Sequence, residues 1–224
     1  AVDQRPNLVI ITTDDQGYGD VGFNGCKDIP TPHIDRIARE GVRFTNGYVT
    51  YPVCSPSRAG LITGRYQGRF GYRRNPTLNP FDEMAGLPLE EENIAEILHK
   101  VGYHNGIIGK WHLGTHPKFR PNARGFDEFY GFVAGGHRYF PEDLIYSDIE
   151  SVDRKGGWYN TKLLRNETRV ETDEYLTDEF SNEGVDFIER NAEKPFFLYL
   201  TYNAPHRPIQ ASQKYLDRFT HIED

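Results

Sequence analysis

Polar, reactive side chains directly follow three apolar segments that lie far apart in this sequence. Each segment has the length and the β-branched or aromatic content typical of a buried strand. The segments and the side chains that follow them are residues 7–13 with Asp14 and Asp15, residues 103–108 with Lys110 and His112, and residues 196–202 with His206. Because ligands of open α/β sheets bind at the carboxyl ends of the strands, we expect these side chains to meet in one crevice.

Strand and helix patterns alternate along the chain, which predicts the α/β fold class with a mainly parallel sheet and helices on both faces. The continuous apolar run at residues 7–13 is typical of a strand that is buried on both faces. Residues 42–49 predict another strand. Apolar periodicity, Pro at helix starts and Gly at helix ends predict further helices. These helices cover residues 31–41, 94–101 and about 176–188.

Between Leu113 and about Glu174 the periodicity fades into Gly, Pro, Asn and aromatic residues. A hairpin around residues 165–168 is the exception that the pattern supports. We interpret residues 113–174 as a loop-rich insertion that covers the sheet, and we expect one domain over residues 1–224.

The net charge of −7 argues against general nucleic-acid binding, which requires a basic face. No apolar run approaches the roughly 20 residues that a membrane-spanning helix needs. The first residues lack the basic and apolar segments of a signal peptide. We therefore expect a soluble mature chain with no nucleic-acid partner and no membrane span.

A thiol and a fixed cation are placed at the start of a short predicted helix. Pro56 suits the first helical turn and Gly64 suits the left-handed position that ends a helix, so we expect the helix to run from about Ser55 to Thr63. Free N–H groups and the helix dipole would then face Cys54. This arrangement is suited to handling an anion.

The Cys-Ser-Pro-Ser-Arg segment at residues 54–58, continued by Leu-Ile-Thr-Gly-Arg at residues 61–65, resembles the sulfatases that convert a cysteine in a Cys-x-Pro-x-Arg core into formylglycine. Residues 14–20, 109–114 and 125–132 are similar to other motifs of that family. The resemblance implies an alkaline phosphatase/sulfatase-like fold. It identifies the chain as an N-terminal catalytic portion, truncated before the family's C-terminal part.

Asp14 and Asp15 are candidate metal ligands. Two carboxylates about 4 Å apart repel each other by about 4 kcal/mol at an effective dielectric of about 20, and a divalent cation would relieve that repulsion. Hard oxygen ligands suit Ca²⁺, with Mg²⁺ as the alternative. A turn or a helix cap is the other interpretation of this acid pair. The resemblance implies that Asp14, Asp15 and the modified Cys54 bind the metal.

The resemblance also implies a reaction at position 54. One hydroxyl of the formylglycine hydrate attacks sulfur, and deprotonation of the other hydroxyl then expels sulfate by C–O cleavage and restores the aldehyde. Arg58 would hold the hydrate and metal-side oxygens, and Lys110 would pair with sulfate oxygens. His112 would take the proton and His206 would serve the leaving group. Without the resemblance, Lys110 and the two histidines could equally be solvated or structural side chains.

Two residues of the loop-rich region, His137 and Arg138, are candidates for substrate contact, and a plain surface loop is the alternative. The resemblance implies a sulfated small molecule or glycan as substrate and a formylglycine-generating maturation enzyme as partner. It also implies a periplasmic, secreted or lysosomal-type compartment. The sulfated group is expected on a carbohydrate rather than on a steroid or lipid, since the chain has no membrane-anchoring stretch.

Two other functions are compatible with the sequence. A phosphoester or phosphonate hydrolase of the same superfamily would also use a metal and a nucleophile at a helix start. An inactive module that only binds sulfated glycans would need neither a complete metal shell nor a modified cysteine.

We expect the 224-residue chain by itself to bind Ca²⁺ weakly and to turn over poorly. The family's later Asp-Asn ligand pair and a further lysine normally lie beyond residue 224, whereas Ca²⁺ takes about 6–8 oxygen ligands. Calorimetric titration with CaCl₂ and an aryl sulfate assay on this chain check the prediction. Tight binding together with full turnover would contradict it.

Overall fold

A computed structural model describes residues 5–143 and 161–222. Among them, six strands form one sheet in the order β1-β6-β2-β3-β4-β5. The strands are β1 (Leu8–Asp14), β2 (His104–Lys110), β3 (Glu128–Phe132), β4 (Leu163–Arg165), β5 (Thr168–Val170) and β6 (Phe196–Pro205). The α-helices are α1 (Pro32–Glu40), α2 (Cys54–Thr63), α3 (Ile94–Lys100), α4 (Leu176–Asn191) and α5 (Gln213–Leu216).

The sheet is mainly parallel, which confirms the predicted fold class. Strands β1, β6, β2 and β3 run parallel to one another, and the hairpin β4–β5 adds two antiparallel strands at the far edge. The parallel strands therefore end at one common edge of the sheet. Asp14 and Lys110 are the last residues of β1 and β2, so their side chains start from that edge.

Helices cover both faces of the central strand β6, because successive side chains of a strand point to opposite faces. Phe197 and Tyr199 belong to one core cluster together with residues of α2 and α3. Leu198 and Leu200 belong to a second cluster together with Phe180 of α4. This double burial explains the continuous apolar sequence of β6.

The predicted helices at residues 31–41, 94–101 and 176–188 are confirmed as α1, α3 and α4. The predicted hairpin is β4–β5. Strand β3 was not predicted, because residues 128–132 lie in the segment interpreted as loops. Four of its five residues are buried, so it shows no alternation of apolar and polar side chains that would indicate a strand.

Two strand predictions need correction. Strand β1 exists but is not buried on both faces: Val9 is 45% exposed and Ile11 is 56% exposed. Among the described elements, β6 is the one that packs extensively against β1, and no described helix covers the face that carries Val9 and Ile11. Residues 42–49 form no strand in the described structure, and their large side chains are exposed, as Phe44 is at 82%. Apolar, β-branched composition does not by itself form a strand, because a strand needs a partner for its backbone hydrogen bonds.

Among the described residues, 5–143 and 161–222, no helix has the length and apolar content needed to span a membrane.

Strands β2 and β6 approach closely just before Lys110, at Gly109. Gly109 has φ = +112°, and a Cβ built there would lie 1.9 Å from the carbonyl oxygen of Thr201. Glycine is therefore required at this position both by the backbone conformation and by the space. The close approach fixes where the side chain of Lys110 begins.

We expect Gly109→Ala to lower the free energy of unfolding by roughly 4 kcal/mol, the sum of positive-φ strain and overpacking. The matched control is Gly25→Ala, since Gly25 has φ = +108° and no atom within 4 Å of the built Cβ. The control should lose only about 1–2 kcal/mol. Urea denaturation of both variants checks this, and equal losses would contradict the packing argument.

Candidate active site

Helix α2 begins at Cys54, one residue earlier than predicted, and ends where Gly64 adopts φ = +63°. Its first turn is tied to β2, because the Ser55 hydroxyl donates to the carbonyl oxygen of His112 at 2.6 Å. The same hydroxyl oxygen lies 2.8 Å from the phenol oxygen of Tyr72. The helix start is thus held against the carboxyl end of the sheet, with the side chain of Cys54 partly exposed.

A buried cluster of charges joins three elements at this edge. Lys110 donates a hydrogen bond to Oδ2 of Asp14, and Nη2 of Arg58 lies 3.5 Å from the same oxygen. Nη1 of Arg58 donates to the carbonyl oxygen of Lys110 at 2.8 Å and to the hydroxyl of Thr201. The side chains of Lys110, Asp14 and Arg58 are 0%, 6% and 7% exposed, so water screens them little.

The charges of this cluster do not balance. Two cations, Lys110 and Arg58, face one carboxylate, Asp14, which leaves one positive charge when all three are ionised. Burial lowers the pKa of Lys110, and the neighbouring Arg58 lowers it further, while Asp14 opposes the shift. A bound anion would therefore stabilise the protonated lysine and complete the charge balance.

A cavity of about 310 Å³ opens beside this cluster. Asp14, Asp15, Cys54 and Arg58 all line it. The structure thus brings together the acids at the end of β1 and the first turns of α2, as the sequence predicted. The side chain of Asp15 is 63% exposed and its backbone has φ = +63°, so it lies at the open side.

His112 follows the end of β2 and is buried, with φ = +57°. Its Nδ1 atom has no hydrogen-bond partner among the described residues. Burial holds the pKa of His112 well below its usual value, and the positive charges of Lys110, Arg58 and His206 lower it further. The imidazole is therefore neutral at neutral pH, with one nitrogen free to accept a proton.

His206 follows β6 and faces the end of β1. Its Nε2 atom lies 3.7 Å from Oδ2 of Asp15, and its Nδ1 atom lies 2.7 Å from the carbonyl oxygen of Arg207. A hydrogen bond from Nδ1–H to that carbonyl would leave Nε2 directed toward the acidic end of β1. All five candidate side chains at the strand ends, from Asp14 to His206, therefore come together at one edge.

The structure does not bring His137 and Arg138 to this cavity. His137 is 1% exposed, and its ring nitrogens lie 2.8 Å and 2.5 Å from the carbonyl oxygens of Arg138 and Thr161. Burial lowers its pKa. Nη1 of Arg138 lies 3.8 Å from Oδ1 of Asp143. Packing inside the protein, rather than substrate contact, is what this geometry supports for His137.

Within residues 5–143 and 161–222, no group of three His, Cys, Asp or Glu side chains is arranged to hold a metal ion. Asp14 and Asp15 have the oxygen chemistry that a hard cation prefers, and both line the cavity. Oδ2 of Asp14 already accepts from Lys110. The donor set fits such a cation chemically but supplies only part of a coordination shell.

Sequence reasoning missed Asn75 and Thr201. Oδ1 of Asn75 accepts from the backbone N–H of Ser55 at 3.2 Å and lies 3.7 Å from Sγ of Cys54. Thr201 contacts Arg58 near the carboxyl end of β6, where the strand-end argument could have found it. Asn75 lies in an irregular segment, and no pattern in the sequence relates it to residue 54.

The chain belongs to the sulfatase family, which it matches over residues 6–224. It is 39% identical over 225 residues to N-acetylgalactosamine-6-sulfatase of Homo sapiens and 36% identical over 234 residues to arylsulfatase G of Homo sapiens. These alignments cover 95% and 94% of the chain but 42% and 43% of the two relatives. The chain therefore spans less than half the length of these curated relatives.

Solved structures agree with this assignment. The crystal structure of Ps i-CgsB is similar with a TM-score of 0.88 and 41% identity, and the match covers 99% of the chain and 50% of Ps i-CgsB. BT4656, solved in complex with its substrate D-glucosamine-2-N,6-O-disulfate, is similar with a TM-score of 0.71 and 28% identity. That match covers 97% of the chain and 38% of BT4656.

We expect the stability of the protein to fall with decreasing pH partly through His112. Its folded-state pKa lies below that of an unfolded histidine, about 6.5, so below that pH the unfolded chain binds a proton that the folded chain does not. This contribution is absent at neutral pH and reaches about 1.4 kcal/mol per pH unit in acid.

Urea denaturation between about pH 7.5 and about pH 5 checks this contribution. The variant is His112→Asn, because asparagine tolerates a positive φ. It should show a shallower loss of stability in acid, and exposed His33→Asn is the control for removing a histidine. Identical pH slopes for wild type and His112→Asn would contradict the assignment.

Proposed function

We propose that this chain is the N-terminal catalytic portion of a sulfuric ester hydrolase that releases inorganic sulfate from a sulfated carbohydrate. The observation that carries the proposal is the cavity that Cys54, at the start of α2, lines together with Arg58 and the two acids at the end of β1. A thiol next to buried, incompletely neutralised cations is suited to chemistry on an anionic ester. Membership of the sulfatase family supports this choice.

The nucleophile would come from Cys54 after its conversion to formylglycine by a maturation enzyme. The hydrate of that aldehyde carries two hydroxyls, and one attacks sulfur while the alcohol leaves. Loss of a proton from the second hydroxyl then breaks the bond between the formylglycine carbon and the sulfated oxygen, so that sulfate leaves and the second oxygen becomes that of the restored aldehyde. An ordinary serine or thiol would instead be left as an ester that needs a second displacement.

Arg58 and Lys110 would bind the sulfate oxygens and stabilise charge as it develops in the transition state. The positive charge left over by their pairing with Asp14 is the physical basis of this role. Anion binding by a chain of net charge −7 is compatible with this arrangement, because the local field decides binding at a buried site.

The two histidines would move protons. His112 is neutral and can accept the proton of the second hydroxyl, and its low pKa follows from its burial and from the cations around it. His206, beside Asp15, would protonate or stabilise the leaving oxygen of the alcohol.

A divalent cation would be held by Asp14, Asp15 and an oxygen of residue 54 after its modification, with Ca²⁺ favoured and Mg²⁺ as the alternative. When bound, it would supply positive charge next to the sulfate oxygens. The thiol of unmodified Cys54 is a poor ligand for either ion.

The substrate class follows from the relatives. N-acetylgalactosamine-6-sulfatase is named for a sulfated sugar, and BT4656 was solved with a disulfated glucosamine. A sulfated carbohydrate is therefore the substrate that we propose for this chain. A periplasmic, secreted or lysosomal-type compartment is part of the same proposal.

We expect Cys54→Ala to lower the hydrolysis of 4-nitrophenyl sulfate by about three orders of magnitude or more in the protein that contains this chain. The matched control is Cys26→Ala, which removes the other cysteine and should retain activity. Mass spectrometry of wild type made with a formylglycine-generating enzyme should show an aldehyde at residue 54. A parallel assay on 4-nitrophenyl phosphate should give little turnover. An unmodified Cys54 in fully active protein, or preferred turnover of the phosphate, would overturn the proposal.

A further inference from the structure

A second cavity, of about 410 Å³, lies next to the start of α2, on the segment of residues 71–75 that follows the helix. Arg73, Arg74 and Asn75 line one part of it, and Met84 lines another. Neither Arg73 nor Arg74 has a role in the reaction proposed above. The pair is a sequence feature that the proposed function leaves unexplained.

The segment is fixed to the helix that carries Cys54. The phenol oxygen of Tyr72 lies 2.8 Å from the hydroxyl of Ser55. Asn75 contacts both Ser55 and Cys54. Arg73 and Arg74 are thus held between two anchors on the first turn of α2.

Arg73 and Arg74 are exposed, and neither forms an ion pair or hydrogen bond within the described parts of the chain. Several other described arginines are paired with carboxylates, as Arg165 is with Glu183 and Arg190 is with Glu128. Two unpaired guanidinium groups that line one cavity repel each other, and an anion bound in that cavity would relieve the repulsion.

One carboxylate, Asp82, also lines the second cavity, but it is engaged locally. Its Oδ1 accepts from the backbone N–H of Met84 at 2.9 Å, and its Oδ2 lies 3.5 Å from the hydroxyl of Thr77. Two cations against one carboxylate leave the lining with a net positive charge. The side chain of Met84 is 87% exposed and offers an apolar surface beside these charges.

We propose that the second cavity binds another anionic group of the same glycan, on the sugar next to the one whose sulfate reacts at residue 54. This proposal rests on the proposed function and narrows its substrate class to glycans that carry at least two negative charges. Asn75 lines the second cavity and lies 3.7 Å from Sγ of Cys54, so one residue separates the cavity from the reacting side chain. The second group is a sulfate ester or a uronic acid carboxylate, since arginine binds both in the same bidentate manner.

The test compares wild type with Arg73→Gln, Arg74→Gln and the double variant, in the protein that contains this chain. The matched control is Arg69→Gln, which removes an exposed arginine of the same surface that lines neither cavity. The substrates are 4-nitrophenyl sulfate, a monosulfated neutral disaccharide, the corresponding disulfated disaccharide and a monosulfated disaccharide that contains a uronic acid. The values of kcat and KM are measured for each enzyme with each substrate, at low and at high salt.

Wild type should prefer at least one of the two doubly charged disaccharides over the neutral one. The double variant should raise KM for that substrate about tenfold, with kcat and the turnover of 4-nitrophenyl sulfate little changed. High salt should weaken the preference of wild type. The choice between the disulfated and the uronate substrate identifies the second anion.

Equal KM values for wild type and the double variant, or an equal loss in Arg69→Gln, would overturn this proposal while leaving the proposed function intact. If no substrate is hydrolysed, the proposed function fails. Calorimetric binding of the disulfated disaccharide then still tests whether the second cavity binds an anion. Weaker binding by the double variant than by Arg69→Gln supports the second site, and equal binding excludes it.

Discussion

The buried contact of Asp14 with Lys110 and Arg58 holds the candidate site together. It joins the end of β1, the end of β2 and the second turn of α2, three elements that are distant in sequence. Removal of one partner from a buried ion pair leaves an uncompensated charge, which typically costs about 3–5 kcal/mol. The cluster therefore makes the position of Arg58 depend on the sheet, and with it the position of Cys54 one turn earlier on the same helix.

The fold supplies the other half of this arrangement. Parallel strands place their carboxyl ends at one edge, and the order β1-β6-β2 puts β6 between the two charged strand ends. Thr201 of β6 then contacts Arg58, and His206 follows the same strand toward Asp15. Backbone geometry contributes as well, because Asp15 and His112 both turn out of their strands with positive φ. Two of the three described non-glycine residues with positive φ thus lie at the site, as is common where a side chain must be aimed, and the third, Asn166, lies in the turn between β4 and β5.

The sequence predicted most of the sheet and nearly all of the reactive side chains, because strand ends and helix ends have local signals. Asp14, Lys110 and His206 could be placed by that argument alone. Strand β3 could not, since its burial on both sides leaves no alternation. The strand prediction for residues 42–49 was wrong for the opposite reason. The composition of these residues favours a strand, but strand formation depends on a partner strand that no local pattern specifies. The burial of His137 was not foreseen, because a loop-rich sequence does not reveal which of its side chains turn inward.

The role of Asn75 in the site was also not predictable from the sequence, since its contact with Cys54 depends on how residues 71–75 fold back on α2. Long-range contacts of irregular segments arise from tertiary packing and have no periodic signature. The metal set remains a prediction from the acid pair Asp14-Asp15 and from the resemblance, and the described residues supply two carboxylates toward it.

The close approach of β2 and β6 at Gly109 limits where substitutions can change the ligand preference of the site. The backbone at Gly109, next to Lys110, has no space for an added methyl group. A substitution there would therefore disturb the sheet before it altered ligand selection. The irregular segments around the two cavities are less constrained, since exposed side chains such as those of Arg73 and Arg74 can be replaced without disturbing the sheet. Among proteins that share this close approach of two strands, changes in ligand preference would therefore accumulate in the irregular segments around the cavities, while the strands themselves stay unchanged.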